Sequence, residues 1–183
     1  MSNLLWPGDH HAGDFFTDSA FLDAMLRVEA AWSVALTEAR VAPPDAAVTY
    51  AVLRDLVGDA DLSVIADDAE SGGNPVIPLV KMLRARLDSA AASRWLHRGL
   101  TSQDVVDTAV IRCAADTSDA VAVELERQAR IVADRADEHR HTPMVARTLT
   151  QHAVPSTFGL KAAMWLRGVL DAREQLAADG VVD

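Results

Sequence analysis

A chain of 183 residues that is 50% hydrophobic and 24% charged holds enough apolar material for one or two folded domains with a buried core. Its 27 acidic and 17 basic residues leave a net charge of -10, a field that repels phosphate backbones, and no concentrated basic stripe offsets it, so nucleic acid is excluded as an expected partner. A lone cysteine (Cys113), an N-terminus MSNLLWPGDHH without the basic-then-apolar order of a secretory leader, and no apolar run near the roughly 18 residues of a membrane span together predict a reduced, cytoplasmic protein that makes no membrane contact.

Ala, Leu, Arg, Glu and Asp recur at helical spacing and β-branched alternation hardly occurs, which predicts an all-α fold. Asp18 or Ser19 is expected to cap a first helix that carries Leu22, Met25, Leu26, Trp32 and Leu36 on one face and ends before Pro43 and Pro44. Glu29 interrupts that face; pairing with an arginine at a helix contact is the favoured reading over a functional carboxylate. Shorter helices follow at about 45–57 and 61–69. Ser71 to Pro75, SGGNP, breaks the chain, and Pro75 and Pro78 fit only the first turn of the next helix, which extends to about Leu87.

From Gln103 to Arg140 there is no Gly or Pro. At 1.5 Å per residue this helix would be about 55 Å long. Val106, Val110, Cys113, Thr117, Val121, Leu125, Gln128 and Val132 follow at steps of three or four and draw a narrow seam along it. One further helix is predicted from about Ser156 to Ala178, with Pro143 and Pro155 bracketing the link. Two helices cannot enclose a bundle core, so companions are expected from other chains or from further sequence. Residues 1–100 are accordingly read as an N-terminal helical domain and 101–183 as the first part of a long-helix bundle.

Three polar clusters interrupt the apolar pattern. In SGGN, two glycines permit close backbone approach and Asn74 offers an amide to a ligand; a plain interhelix turn explains the same residues. HRGLTSQD, residues 97–104, lies where the long helix begins, and free N–H groups with hydroxyls suit a carboxylate or phosphate there. Capping accounts for one hydroxyl of Thr101 or Ser102, but not for His97, Thr101, Ser102 and Gln103 together. In ARTLTQHAVPSTFG, residues 146–159, Arg147 can fork onto a carboxylate, Gln151 can donate and accept, and His152 is a candidate acid or base. No metal site is expected: His10 and His11 are adjacent, and His139 and His141 lack a carboxylate or cysteine at ligand spacing. There is no nucleophile elbow, Walker A or GxGxxG pattern.

HRGLTSQDVVDTA and ARTLTQHAVPSTFGLKAA, separated by the long helix, resemble the first and second shared regions of the fumarase/aspartase superfamily of lyases. Within it, GNPVIPLVK and QHAVPSTFG are most similar to the 3-carboxy-cis,cis-muconate cycloisomerase, or lactonizing, family. Adenylosuccinate lyases share an HxGxTSxD segment but usually carry a histidine-containing segment where this chain has SGGNPV. A third family region, a loop of the form GSSxMPxKxN, does not occur in the sequence, so the chain is expected to be an N-terminal fragment or half of a split subunit, inactive alone.

The resemblance implies a homotetramer with a shared central bundle, active sites assembled from several subunits, a small tricarboxylate substrate, and no cofactor. It also implies that Thr101 and Ser102 stabilise charge developing on one substrate carboxylate while Asn74, Arg147 and Gln151 hold others. Gln103 and His97 are further binding candidates. His152 matches a family histidine that acts as general acid, or here orients the attacking carboxylate. Two other readings remain open: a β-eliminating lyase of the adenylosuccinate or argininosuccinate type, and a non-catalytic helical assembly module.

Overall fold

The computed structural model describes Leu5 and residues 7–178. The chain divides into two compact units, Met1–Ala114 and Ala115–Asp183. Among the described residues the regular structure is helical apart from one two-stranded sheet. The long helix α6 (Ser102–Glu138) supplies residues to both units.

The first unit contains α1 (Asp18–Glu38), α2 (Tyr50–Leu56), α3 (Leu62–Gly72), α4 (Val76–Arg86), α5 (Ala90–Trp95) and the beginning of α6. The cap of α1 is Thr17 rather than Asp18 or Ser19: its Oγ1 accepts from the Ala20 N–H at 3.2 Å. Asp18 instead sits in the first turn, where its charge suits the helix dipole. Leu22, Met25 and Leu26 are buried as expected, against Leu53 of α2, Ile65 of α3, Leu79 and Leu83 of α4 and Leu96. Each such leucine contributes about 1.5–3 kcal/mol of burial. Trp32 and Leu36 are only half-buried. Trp32 uses its indole N–H to hold the carbonyl of Arg98 at 2.9 Å. Ser33 is buried and satisfied twice, donating to Ala46 O at 3.2 Å and accepting from Val48 N at 3.0 Å.

The expected seam of α6 is met in part: Cys113 is buried and Val106 packs against the core. Val105, Ala109 and Cys113, at steps of four, enter the core of the first unit. Val110 and Val121, placed in the seam from the sequence, are 39% and 44% exposed.

The second unit contains the rest of α6, a hairpin of β1 (Pro143–Thr148) and β2 (Gln151–Thr157), and α7 (Phe158–Ala178). The hairpin stands where the proline-bracketed pattern showed only a link between helices. Its strands pair Pro143 with Thr157 and Thr148 with Gln151, turning through Leu149 and Thr150. The register slips between Val145 and Arg147: two steps on β1 are matched by three on β2, from Pro155 to His152. Thr157 caps α7 by accepting from the Leu160 N–H at 3.2 Å. Arg173 of α7 bonds Glu126 of α6 at 2.6 Å. The buried residues here are small, Ala129, Gly159 and Ala162, while Val123, Ile131, Leu160 and Met164 remain exposed. A two-helix hairpin has no interior large enough for them.

Candidate functional site

In the first unit, Asn74 follows Gly73, whose φ of +75° ends α3 in the left-handed region. The Asn74 Oδ1 accepts from the Val76 N–H at 3.0 Å, so the amide oxygen starts α4 in the manner of an Asx turn. Thr101 precedes α6. Its Oγ1 accepts from the Gln103 N–H at 3.2 Å, and Asp104 returns a carboxylate oxygen to the Thr101 N–H at 2.9 Å. Thr101 is thus the cap, and the Gln103 side chain is drawn to Asp107 at 2.5 Å. The Ser102 hydroxyl makes no hydrogen bond to another described residue and stands at the positive end of a 37-residue helix dipole.

His97 lies just before this helix start, and its Nδ1 is 2.6 Å from Oε1 of Glu29. The arginine expected beside Glu29 is absent from that contact. The remote segment supplies an imidazole instead, so the buried carboxylate and the candidate binding histidine are one feature. Burial hid this from sequence reasoning, which saw two unrelated polar residues 68 positions apart.

In the second unit, Arg147 and His152 are directly paired across the hairpin, and Thr148 and Gln151 form the next pair. Side chains alternate along a strand, so the pleat puts Arg147 and His152 on one face and Gln151 on the other. All three are exposed. Arg147 also borders a depression of about 600 Å³ with Ser156, Lys161, Met144 and Met164. Two cationic side chains and a hydroxyl there suit an anion, although the chain as a whole is acidic. Lys161 and Ser156 were not singled out from the sequence, where their only signal was a place in PSTFGLKAA.

A wider groove of about 910 Å³, bordered by Arg27, Trp32, Tyr50, Leu100, Asp104 and Arg112, contains none of the residues chosen from the sequence. Its lining residues Tyr50 and Arg27 hydrogen-bond Asp23, whose carboxyl is held below its ordinary value: burial opposes this, but those hydrogen bonds outweigh it. Among the described residues no cluster of His, Cys, Asp and Glu could hold a metal ion.

The lyase family profile matches residues 10–179, and the chain belongs to that family, the fumarase/aspartase superfamily. More particularly, it is 40% identical over 166 residues to a 3-carboxy-cis,cis-muconate cycloisomerase of Bradyrhizobium diazoefficiens, covering 88% of this chain and 35% of that protein. It is also 40% identical over 165 residues to a nitrosuccinate lyase of Streptomyces davaonensis, covering 88% of this chain and 34% of that protein. The solved 3-carboxy-cis,cis-muconate lactonizing enzyme of Pseudomonas putida superposes with a TM-score of 0.84 at 32% identity, over 92% of this chain and 39% of that one. The chain therefore spans about a third of the length of these curated relatives.

Proposed function

We propose that this chain contributes two of the regions that build the active site of a cofactor-free cycloisomerase, one that closes 3-carboxy-cis,cis-muconate into 4-carboxymuconolactone in protocatechuate breakdown. The observation that carries the proposal is the pairing of Arg147 with His152 on one exposed hairpin face, within a segment 40% identical to a muconate cycloisomerase. A substrate with three carboxylates needs several separated anion-binding groups, and this chain offers them at two places. Arg147, Gln151 and Lys161 belong to the hairpin region; Ser102, Thr101, Gln103, His97 and Asn74 lie around the start of α6 or α4.

In the reaction one carboxylate oxygen bonds to a carbon of the conjugated diene, and the neighbouring carbon gains a proton. Between these events negative charge passes onto another carboxylate as an enolate-like species. The Ser102 hydroxyl and the helix start would stabilise that charge, because fixed donors need no reorganisation as it develops. Arg147 would grip a second carboxylate bidentately. His152 would orient the attacking carboxylate, whose ordinary acidity makes proton transfer to it unnecessary. The exposed apolar residues of α6 and α7 support assembly with further long helices, as in the homotetramer implied by the resemblance, so each site would draw its two regions from different subunits.

The test is the whole protein supplied with 3-carboxy-cis,cis-muconate, followed by loss of its conjugated ultraviolet absorbance. Turnover supports the proposal. The equal identity to a nitrosuccinate lyase favours a second reading, β-elimination from a smaller carboxylate. Turnover of nitrosuccinate with no loss of muconate absorbance would establish that second reading in place of the first.

A further inference from the structure

The Glu29 side chain is fully buried, and its Oε2 has no hydrogen-bond donor among the described residues. An isolated buried carboxylate of this kind is costly, and its one partner is His97. His97 itself has φ of +61°, in the left-handed region that a non-glycine residue seldom enters. That conformation is held from several sides. Arg84 donates to Leu96 O at 2.7 Å, Trp32 donates to Arg98 O at 2.9 Å, and the Leu96 side chain is wholly buried. Gly99, at φ +89°, completes the turn against Trp32. Strain so thoroughly enforced, at a residue whose ring is gripped by a buried charge, marks a side chain that must point one way.

We infer that Glu29 is a positioning residue: its buried carboxylate holds His97 through Nδ1–H and leaves Nε2 as the ring atom that meets a carboxylate of the substrate. In this reading Glu29 is the acceptor, as a carboxylate must be, and the hydrogen of the 2.6 Å contact belongs to Nδ1. Nε2 has no partner among the described residues and is not a buried orphan atom, so it shares in the 16% of the side chain that is exposed. When the ring is protonated both nitrogens donate, inward to Glu29 and outward to an anion, and the buried charge is compensated in the same step. The role deepens the proposed function and rests on it for the identity of the outer partner.

Two measurements decide it. In the 183-residue chain, imidazole nitrogen-15 shifts of the His97 ring, assigned by loss of the signal in His97→Asn, should show a hydrogen on Nδ1. A free histidine favours the opposite tautomer, so an unprotonated Nδ1 would overturn the inference without touching the proposed function. In the whole protein, Glu29→Gln keeps the shape and removes the charge. It should raise KM about tenfold with kcat changed less than about threefold, and should change KM by less than about twofold in a His97→Asn background.

An equal effect of Glu29→Gln in both backgrounds would mean that Glu29 does not act through His97. The kinetics are run on whichever of 3-carboxy-cis,cis-muconate and nitrosuccinate is turned over. Turnover of nitrosuccinate alone overturns the cycloisomerase reading and leaves the KM comparison to decide this one. Should neither be turned over, the proposed function falls with the substrate half of this inference, and the nitrogen shifts decide the hold of Glu29 on His97. The shifts themselves are read in the unmodified chain, and His97→Asn serves only to assign the signal.

Discussion

The amide of Gly159 donates to the carbonyl of His139 at 2.9 Å, and a Cβ placed on Gly159 would fall 2.7 Å from that same oxygen. It would also lie 2.6 Å from Ala136 O and 2.7 Å from the Arg140 Cα. The start of α7 therefore rests on the backbone of the end of α6 with no room for a side chain. Gly159→Ala in an ordinary helix would stabilise by up to about 1 kcal/mol. Here the overlap is with backbone, which cannot rotate away, and a loss of about 1–3 kcal/mol is expected in urea unfolding of the chain. A gain in stability would show that the two helix ends are free to separate.

Asp61 accepts two hydrogen bonds from Arg86, at 2.7 and 2.9 Å, and one from the Gly58 N–H at 3.0 Å. The Arg86 bonds first, and then the Gly58 amide, hold its carboxyl below the ordinary value of 3.8, against a smaller opposing effect of burial. A carboxylate with a depressed folded value contributes stability that is complete above its unfolded value and is lost as pH falls through the folded one. The urea midpoint should stay level from about pH 7 to 5 and fall below about pH 4. Asp61→Asn should lower stability by about 1 kcal/mol at pH 7, a modest figure because the Arg86 end is solvent-screened, and should flatten the acid limb. An unchanged acid limb in that variant would assign the loss to other carboxylates such as Asp23, which is also shifted downward.

Thr150 turns the hairpin at φ +62°, an unfavourable conformation for a β-branched side chain. Thr150→Gly removes the Cβ that causes the strain, at the cost of a more flexible unfolded chain. A net gain of up to about 1 kcal/mol is expected, read as a higher urea midpoint. A fall would show that the threonine side chain stabilises the turn by more than its backbone costs.

The long helix was legible because an uninterrupted run between Gln103 and Arg140 leaves the backbone no other economical structure, and Ser102–Glu138 is helical. Its buried face was legible only in part: Cys113 is buried and Val106 packs against the core as expected, but Val105 and Ala109 are the fully buried positions beside them, and Val110 is exposed. The hairpin was not legible. Proline stands in both strands, the turn is Leu149–Thr150 without Gly or Asn, and β2 is mostly exposed, so neither alternation nor turn chemistry announces it. Of the candidate residues, Thr101 showed its capping role in its position alone. The tie between Glu29 and His97 depends on how α1 and the segment before α6 pack, which no local spacing encodes.

The pleat of the hairpin makes a prediction that the one-dimensional cluster could not. Arg147 and His152 are cross-strand partners and share a face, whereas Gln151 pairs with Thr148 on the opposite face. If one substrate lies against the shared face, removing Arg147 changes what His152 can still do. In the whole protein, Arg147→Ala and His152→Gln should be non-additive in kcat/KM, with a coupling of about 0.5–3 kcal/mol. Gln151→Ala combined with His152→Gln should add to within about 0.5 kcal/mol, because the strand itself separates the two side chains. The outcome to look for is the contrast between the two cycles. Strong coupling in both would require the substrate to wrap around the strand end, and coupling only between Gln151 and His152 would place the binding face on the other side of the hairpin.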